Sequence, residues 1–389
     1  MVNVWKVLAL FHISILPDSI QNRTYHPNVR VLCPDANPIY GKIILCMKNP
    51  NHSSTGTPPR LFATLLKGFN TIANHWYLIL FPIGMDLLLW LGPRLSVKTL
   101  FSDAATFLAD TMAKSGAVGI LGPIENPQAL WMELLERINL ASALRTIPIG
   151  VPSLIARESP LTSPLGGGSV IEISNYNLVL LTLAGMLLVG LLLGSLYFLL
   201  VSKVTAAETD KLSLKEVATG YGQSLALFCI LILLLIFLSI PLSLLLALFT
   251  SLGLGLGQFL LMACGFFLLW LLMPLVFAPH GIFVLKQKAL PSMLISIRLV
   301  RLFLPGTGLF IITCVLISEG LNMLWSLPEA TSWMTLISIG GHAFVITGLL
   351  AASFIYYREG LRWMQQNLQK MAEMTKKQQE NGGTPLEQQ

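Results

Sequence analysis

The sequence predicts an all-α protein, a polytopic transmembrane helix bundle of about six crossings with amphipathic interfacial helices. Three observations lead there. Gln223–Ala278 contains no Asp, Glu, Lys, Arg or His. About 18 uninterrupted apolar residues suffice for one transmembrane helix, so this block holds two. Over all 389 residues, 54% are hydrophobic and only 11% charged, against about 25% charged in a soluble domain. Finally, Lys and Arg concentrate in alternate polar segments between the apolar runs, the bias that orients membrane helices. The net charge of +6 is read as part of that bias rather than as a nucleic-acid footprint, because aromatics are not interleaved with the basic residues.

Residues 1–59 have neither periodicity nor a turn–strand rhythm. Lys6 followed by Val7–Leu16 resembles a weak signal peptide without an A-x-A cleavage site. The next methionine after Met1 is Met47. The expectation is that 1–59 is a disordered or mis-assigned extension and that translation starts at Met47. The membrane domain is expected over 60–365, with a cytoplasmic polar tail over 366–389.

Arg60–Asn74 carries Leu61, Leu65, Phe69 and Ile72 at helical spacing and reads as an amphipathic helix. The first crossing is placed at Trp76–Leu91, with His75, Trp76 and Tyr77 at the interface. Asp86 lies past its middle, facing either Arg94 or a polar interior. Residues 95–176 form the one long polar excursion, an extracytoplasmic loop carrying amphipathic helices. One helix is expected over about Val97–Ala113, and a break at Gly116–Pro123 follows. A second is expected to start at Asn126-Pro127, an N-cap followed by proline at the first helical position. After Ile147-Pro-Ile-Gly-Val-Pro152 an irregular loop is expected.

The second crossing, about Leu178–Val201, contains Gly190-x-x-x-Gly194. That spacing lets backbones approach closely, within the bundle or at a dimer face. Lys203–Gly222 is a charged linker ending in an amphipathic part. Crossings three and four are Phe228–Thr250 and Gln258–Ala278, joined at Ser251–Gly257, with a kink expected at Pro241. His280–Arg301 is polar and basic, and Ser292–Leu304 is amphipathic. Crossing five is Leu304–Trp325 and crossing six Trp333–Tyr357, with Arg358–Lys377 a helical continuation. Amphipathic stretches at 60–74, 212–222 and 292–304 precede the odd crossings, so the chain reads as three similar helical hairpins.

The basic residues before crossing one, in the two–three and four–five linkers and after crossing six lie on one face. The three–four and five–six turns carry none. Both termini are therefore expected in the cytoplasm, in a bacterial cell membrane.

The stretch from Met273 to Trp363 begins MPLVFAPHGIFVLKQKALPSMLISIRLVR and ends GHAFVITGLLAASFIYYREGLRW. A Pro-rich crossing end, an amphipathic Ser/Arg-bearing helix and a final Tyr-Tyr-Arg crossing resemble bacterial multi-pass proteins grouped with the membrane domain of glycerophosphoryl diester phosphodiesterases. The resemblance covers about residues 60–365. It implies no catalytic residue here, because the chemistry of that group lies in a separate soluble domain.

No H-E-x-x-H, G-x-S-x-G, Walker A or strand-borne G-x-G-x-x-G motif occurs. The five cysteines form no C-x-x-C pair; only Cys33 and Cys46 lie where a soluble disulfide is conceivable. Neither metal nor cofactor is expected. Asp86, Glu319 and His342 are the ionisable residues at membrane depth, where charge is costly and often functional. Glu319 and His342 are close enough across a short turn to meet. Basic residues His280, Lys286, Lys288, Arg298 and Arg301 are candidate contacts for anionic lipid headgroups. The expected function is a non-enzymatic scaffold, assembly or lipid-organising component; the alternative is a small-molecule transporter or lipid translocase. Expected partners are membrane lipids and a further copy or another membrane protein, and no nucleic acid.

Overall fold

The computed structural model describes residues 58–381 apart from 116–117, 120–121, 124–125, 209 and 252–256. The N-terminal extension with Met47, Cys33 and Cys46, the glycine turn of the 251–257 segment and the last residues of the tail lie outside the described residues. Among the described residues, five helices are long and apolar enough to cross a membrane, or six if a bent pair counts as one span.

That pair is α1 (Leu61–Asn74) and α2 (Leu80–Leu91), which meet at 92° across a 3-10 turn at Trp76–Ile79. At 1.5 Å per residue, α2 alone is about 18 Å long, short of a hydrocarbon core of about 30 Å. Trp76–Leu91 by itself is therefore too short for the expected first crossing, and only together with α1 is it long and apolar enough for a span. The buried stripe of α1 is Thr64, Leu65, Gly68 and Ile72. It packs α1 antiparallel along the last helix, with Lys67 paired to Glu359 at 2.8 Å and Phe69 against Phe344. A side chain at Gly68 would collide with the backbone of Ala352, so the two helices need that glycine to touch.

The excursion begins and ends side by side. Arg94–Ser96 pairs in parallel with Val170–Glu172. Between them lie α3 (Lys98–Ser115), α4 (Pro127–Arg137) and the single turn α5 (Ile155–Glu158). Asn126 caps α4 by accepting from Ala129 N–H at 2.9 Å. The long helices follow: α6 (Tyr176–Thr205), α7 (Leu214–Ser251) and α8 (Gly257–Leu272). The amphipathic part of the 203–222 linker is simply the first turns of α7. Pro241 lies inside α7 without ending it.

The end of crossing four departs from expectation. After α8 come a 3-10 turn at Met273–Leu275 and a short helix, α9 (Ala278–Val284), then α10 (Ala289–Leu302). This region was expected to be a polar linker, yet most of it is buried, Ser292 and Ser296 completely. Proline cannot donate to the ladder, and Pro274 and Pro279 break it. The two serines satisfy the freed backbone: Ser292 Oγ donates to Ala278 O (2.5 Å), Ser296 Oγ donates to Pro274 O (2.6 Å) and accepts from Phe277 N–H (3.1 Å). Hydroxyls commonly perform this repair in membrane helices.

Helix α11 (Leu304–Trp325) starts with Pro305 in its first turn, so the Pro-Gly pair opens the helix rather than interrupting it. The last helix, α12 (Thr335–Asn381), runs through crossing six into the basic continuation. Arg358 on α12 is half-buried and fastens the end of α6, donating to Thr205 Oγ1 and Ser202 O at 2.6 Å each.

Candidate functional site: a re-entrant segment over an intramembrane cavity

The segment after α4 does not run over the surface. From the 3-10 turn Leu140–Leu144 to α5, it enters the core. Ile149 is fully buried, and Leu144, Val151, Leu154 and Ile155 nearly so. Its tip rests on α6 where Gly190 and Gly194 lie, the middle of the apolar stretch 178–201. A side chain on Gly190 would strike the backbone of Leu144, and one on Gly194 would strike Gly150 and Ile149. The Gly-x-x-x-Gly pair therefore receives a loop of its own chain rather than another helix.

The sequence explains how irregular backbone survives at this depth. Pro148 and Pro152 have no N–H to satisfy. Thr146 Oγ1 donates to Ile149 O at 2.5 Å and closes the tip. Gly150 must lack a side chain because the Thr146 carbonyl occupies that space. The descending arm is anchored by Asn139, whose Oδ1 accepts from Leu95 N–H (3.0 Å) and Ala141 N–H (3.1 Å). The returning arm is anchored by Asp86. Its Oδ1 accepts from Ser153 Oγ (2.5 Å) and Ile155 N–H (3.0 Å), and Ser153 Oγ accepts from Ala156 N–H (2.9 Å). Asp86 thus acts as the cap of α5. It does not pair with Arg94, which donates to Glu136 O instead.

Below the segment lies a cavity of about 380 Å³. Its walls are the segment itself (Arg145–Pro152), Phe198 of α6, Phe277 and His280, the middle of α11 from Phe310 to Val315, and Leu349, Leu350 and Ser353 of α12. The lining is chiefly apolar. Arg145 is its one formally charged residue. His280 and Ser353 form a polar spot: Nε2 and Oγ are 2.7 Å apart, and Oγ gives its single proton to Leu350 O, also at 2.7 Å. The imidazole therefore donates from Nε2, and its buried Nδ1 is left as an acceptor with no protein partner.

The three polar residues singled out at membrane depth come to one neighbourhood, joined by two arginines. Glu319 pairs with Arg157 at 2.5 Å, linking α5 to α11. His342 bonds Asn322 (Nδ1 to Oδ1, 3.0 Å) rather than Glu319. Arg145 lies within electrostatic reach of both Asp86 and His342, and Arg157 and Glu319 within reach of His342. None of Asp86, Glu319 and His342 lines the cavity. Arg145 was missed by sequence reasoning because it sits in what reads as an outside loop.

The basic group divides. Lys288, Arg298 and Arg301 are exposed at or on α10. Lys286 is exposed and shares Glu216 with Lys203, both contacts at 2.7 Å. His280 is not with them: it is buried against Phe277 and Phe354, its ring centroid 4.4 Å from that of Phe354. A second apolar cavity, about 220 Å³, lies across Thr146 between α6 and α7. Among the described residues, no three His, Cys, Asp or Glu side chains gather as metal ligands would. Comparisons with protein-family models, curated proteins and solved structures find no match.

Proposed function

We propose that the protein is a non-enzymatic multi-pass component of a bacterial cell membrane that binds a lipid-like molecule and so organises lipid within the bilayer. One observation carries this reading: an apolar cavity of about 380 Å³ sits at mid-span under a re-entrant segment, within the size range of sites for small organic ligands, roughly 300–1,000 Å³. Irregular backbone at that depth is found where it is buried in protein or lines a cavity, and here it does both. Lack of catalytic motifs supports a binding rather than a transforming role. The Lys/Arg distribution supports cytoplasmic termini and an external excursion. Lipids are the partners this reading names.

A second reading, lipid translocation, is favoured by the bent α1–α2 pair and the re-entrant segment, since transporters bind substrate at the midplane beside interrupted elements.

Native mass spectrometry of the protein released from mild detergent tests the main reading. Wild type is expected to retain bound lipid, and Ile311→Trp, which fills the cavity from α11, to lose it. Equal lipid retention by both would overturn it. Scrambling of a fluorescent lipid in vesicles containing the protein distinguishes translocation: catalysed exchange favours the second reading, and none favours the first.

A further inference from the structure

We infer that the cavity ligand is a single-chain anionic amphiphile whose carboxylate or phosphate head is held by Arg145. This rests on the lipid-binding reading and names its ligand class.

Arg145 is exposed, yet the residue before it packs on Gly190, in the middle of an apolar stretch. No ion pair or side-chain hydrogen bond joins its guanidinium to another described residue. A cation at that depth is costly and marks a substrate or ion path. Asp86 attracts it from a distance: its Oδ1 accepts from Ser153 and Ile155, its buried Oδ2 has no hydrogen-bond partner, and neither oxygen lies within ion-pair range of Arg145. Among the described residues this cation therefore has no close counter-ion. A guanidinium presents a planar fork that matches the paired oxygens of a carboxylate or phosphate.

The rest of the lining fixes the body of the ligand. Apart from the His280–Ser353 polar spot, Phe198, Phe277, Phe310, Leu349 and Leu350 offer apolar surface. A free inorganic anion would satisfy Arg145 and leave those walls empty. A neutral hydrocarbon would fill the walls and leave Arg145 without a partner. An anionic head on one apolar chain does both.

The test measures binding of tetradecyl phosphate, myristate, tetradecanol and inorganic phosphate to the full-length protein in detergent, by displacement of a fluorescent fatty-acid probe. Wild type is expected to bind the two anionic amphiphiles, and tetradecanol and phosphate far more weakly. Arg145→Gln is expected to weaken the anionic amphiphiles by roughly tenfold to a hundredfold, the range for a lost charge-assisted hydrogen bond, while leaving tetradecanol unchanged. Arg145→Lys keeps the charge without the fork and should fall between. Unchanged anionic binding in Arg145→Gln would overturn the inference. So would tetradecanol binding as tightly as tetradecyl phosphate, though the cavity would still be a lipid site. Inorganic phosphate binding as tightly as the amphiphile would reduce the site to a bare anion site. If Ile311→Trp alters no ligand, the lipid-binding reading itself fails.

Discussion

Asp86 holds the returning arm of the re-entrant segment through one carboxylate oxygen, and that geometry separates its structural from its electrostatic contribution. Asp86→Ala leaves Ser153 Oγ and Ile155 N–H buried without their acceptor. It is expected to destabilise the protein by about 1.5–3 kcal/mol, measured as a lowered midpoint of unfolding in detergent. Asp86→Asn keeps an acceptor oxygen in place and is expected to lie much closer to wild type; if both variants fall equally, the charge and not the cap is what matters. At the foot of the excursion, Glu172 takes hydrogen bonds from Thr99 N–H (2.7 Å) and Thr99 Oγ1 (3.0 Å). Desolvation is the largest single influence on its acidity and acts upward. The Thr99 and Ser96 hydrogen bonds and nearby Lys98 together outweigh it, so the carboxyl lies below its ordinary value of 4.5. A depressed carboxyl stabilises the fold above its unfolded value, and that contribution is lost as pH falls below 4.5 and on through the depressed value. The protection factor of the Thr99 amide, its exchange rate relative to the intrinsic rate at each pH, should therefore fall on acidification through that window, and Glu172→Gln should remove that change in protection. Some of this was legible in the sequence. Asp86, Glu319 and His342 stand out because charge is rare in apolar runs. Their partners are not legible, because Ser153, Arg157 and Asn322 look like ordinary loop or interface residues until the fold brings them near.

The long apolar helices were legible in their existence, and some in their bounds, because length and hydropathy dictate them; the start of α7 and the ends of crossings one and four were not. Leu304–Trp325 and the Asn126 cap fall where periodicity and capping chemistry put them. The re-entrant segment was not read, since a stretch broken by Pro148 and Pro152 shows no helical period. A signal was present all the same. Thr146–Ala156 is uncharged, and an apolar run of about that length suits a re-entrant segment better than a surface loop. Its docking place depends on shape. Gly194 has no side chain where the backbone of Gly150 passes, so Gly194→Leu must push the segment off α6. Such overpacking is expected to cost about 1–3 kcal/mol or more and to lower the thermal midpoint. Gly185→Leu on the same helix meets open space and should change it little. A similar loss in both variants would mean that helix α6 itself, not the docked segment, is sensitive.

Packing across the molecule is uneven, and the unevenness says where lipid must lie. Helices α1, α6 and α12 and the re-entrant segment share one core, in which Tyr197, Phe198, Ile149 and Phe354 meet. The α7–α8 hairpin touches that core mainly through the first half of α7, where Leu227 is fully buried and Glu216 ties Lys203 to Lys286. Beyond it, Leu233, Phe237, Leu244 and Phe266 are exposed. In water so much contiguous apolar surface would drive association; in a bilayer it is the surface that hydrocarbon chains cover. Tryptophans report the contrast directly. Trp270 on α8 is 66% exposed, whereas Trp90 on α2 is 5% exposed, with its Nε1–H donated to Ala330 O at 2.9 Å and its ring edge-on to Trp333. Two variants, each keeping one of these as its sole tryptophan, are reconstituted in vesicles whose lipids carry bromine on their acyl chains. Fluorescence of the Trp270 variant is expected to be strongly quenched, because bromine acts only on contact, and that of the Trp90 variant to be nearly untouched. Weak quenching at Trp270 would mean that protein covers the α7–α8 hairpin, and the lipid-facing assignment of this half of the bundle would fall.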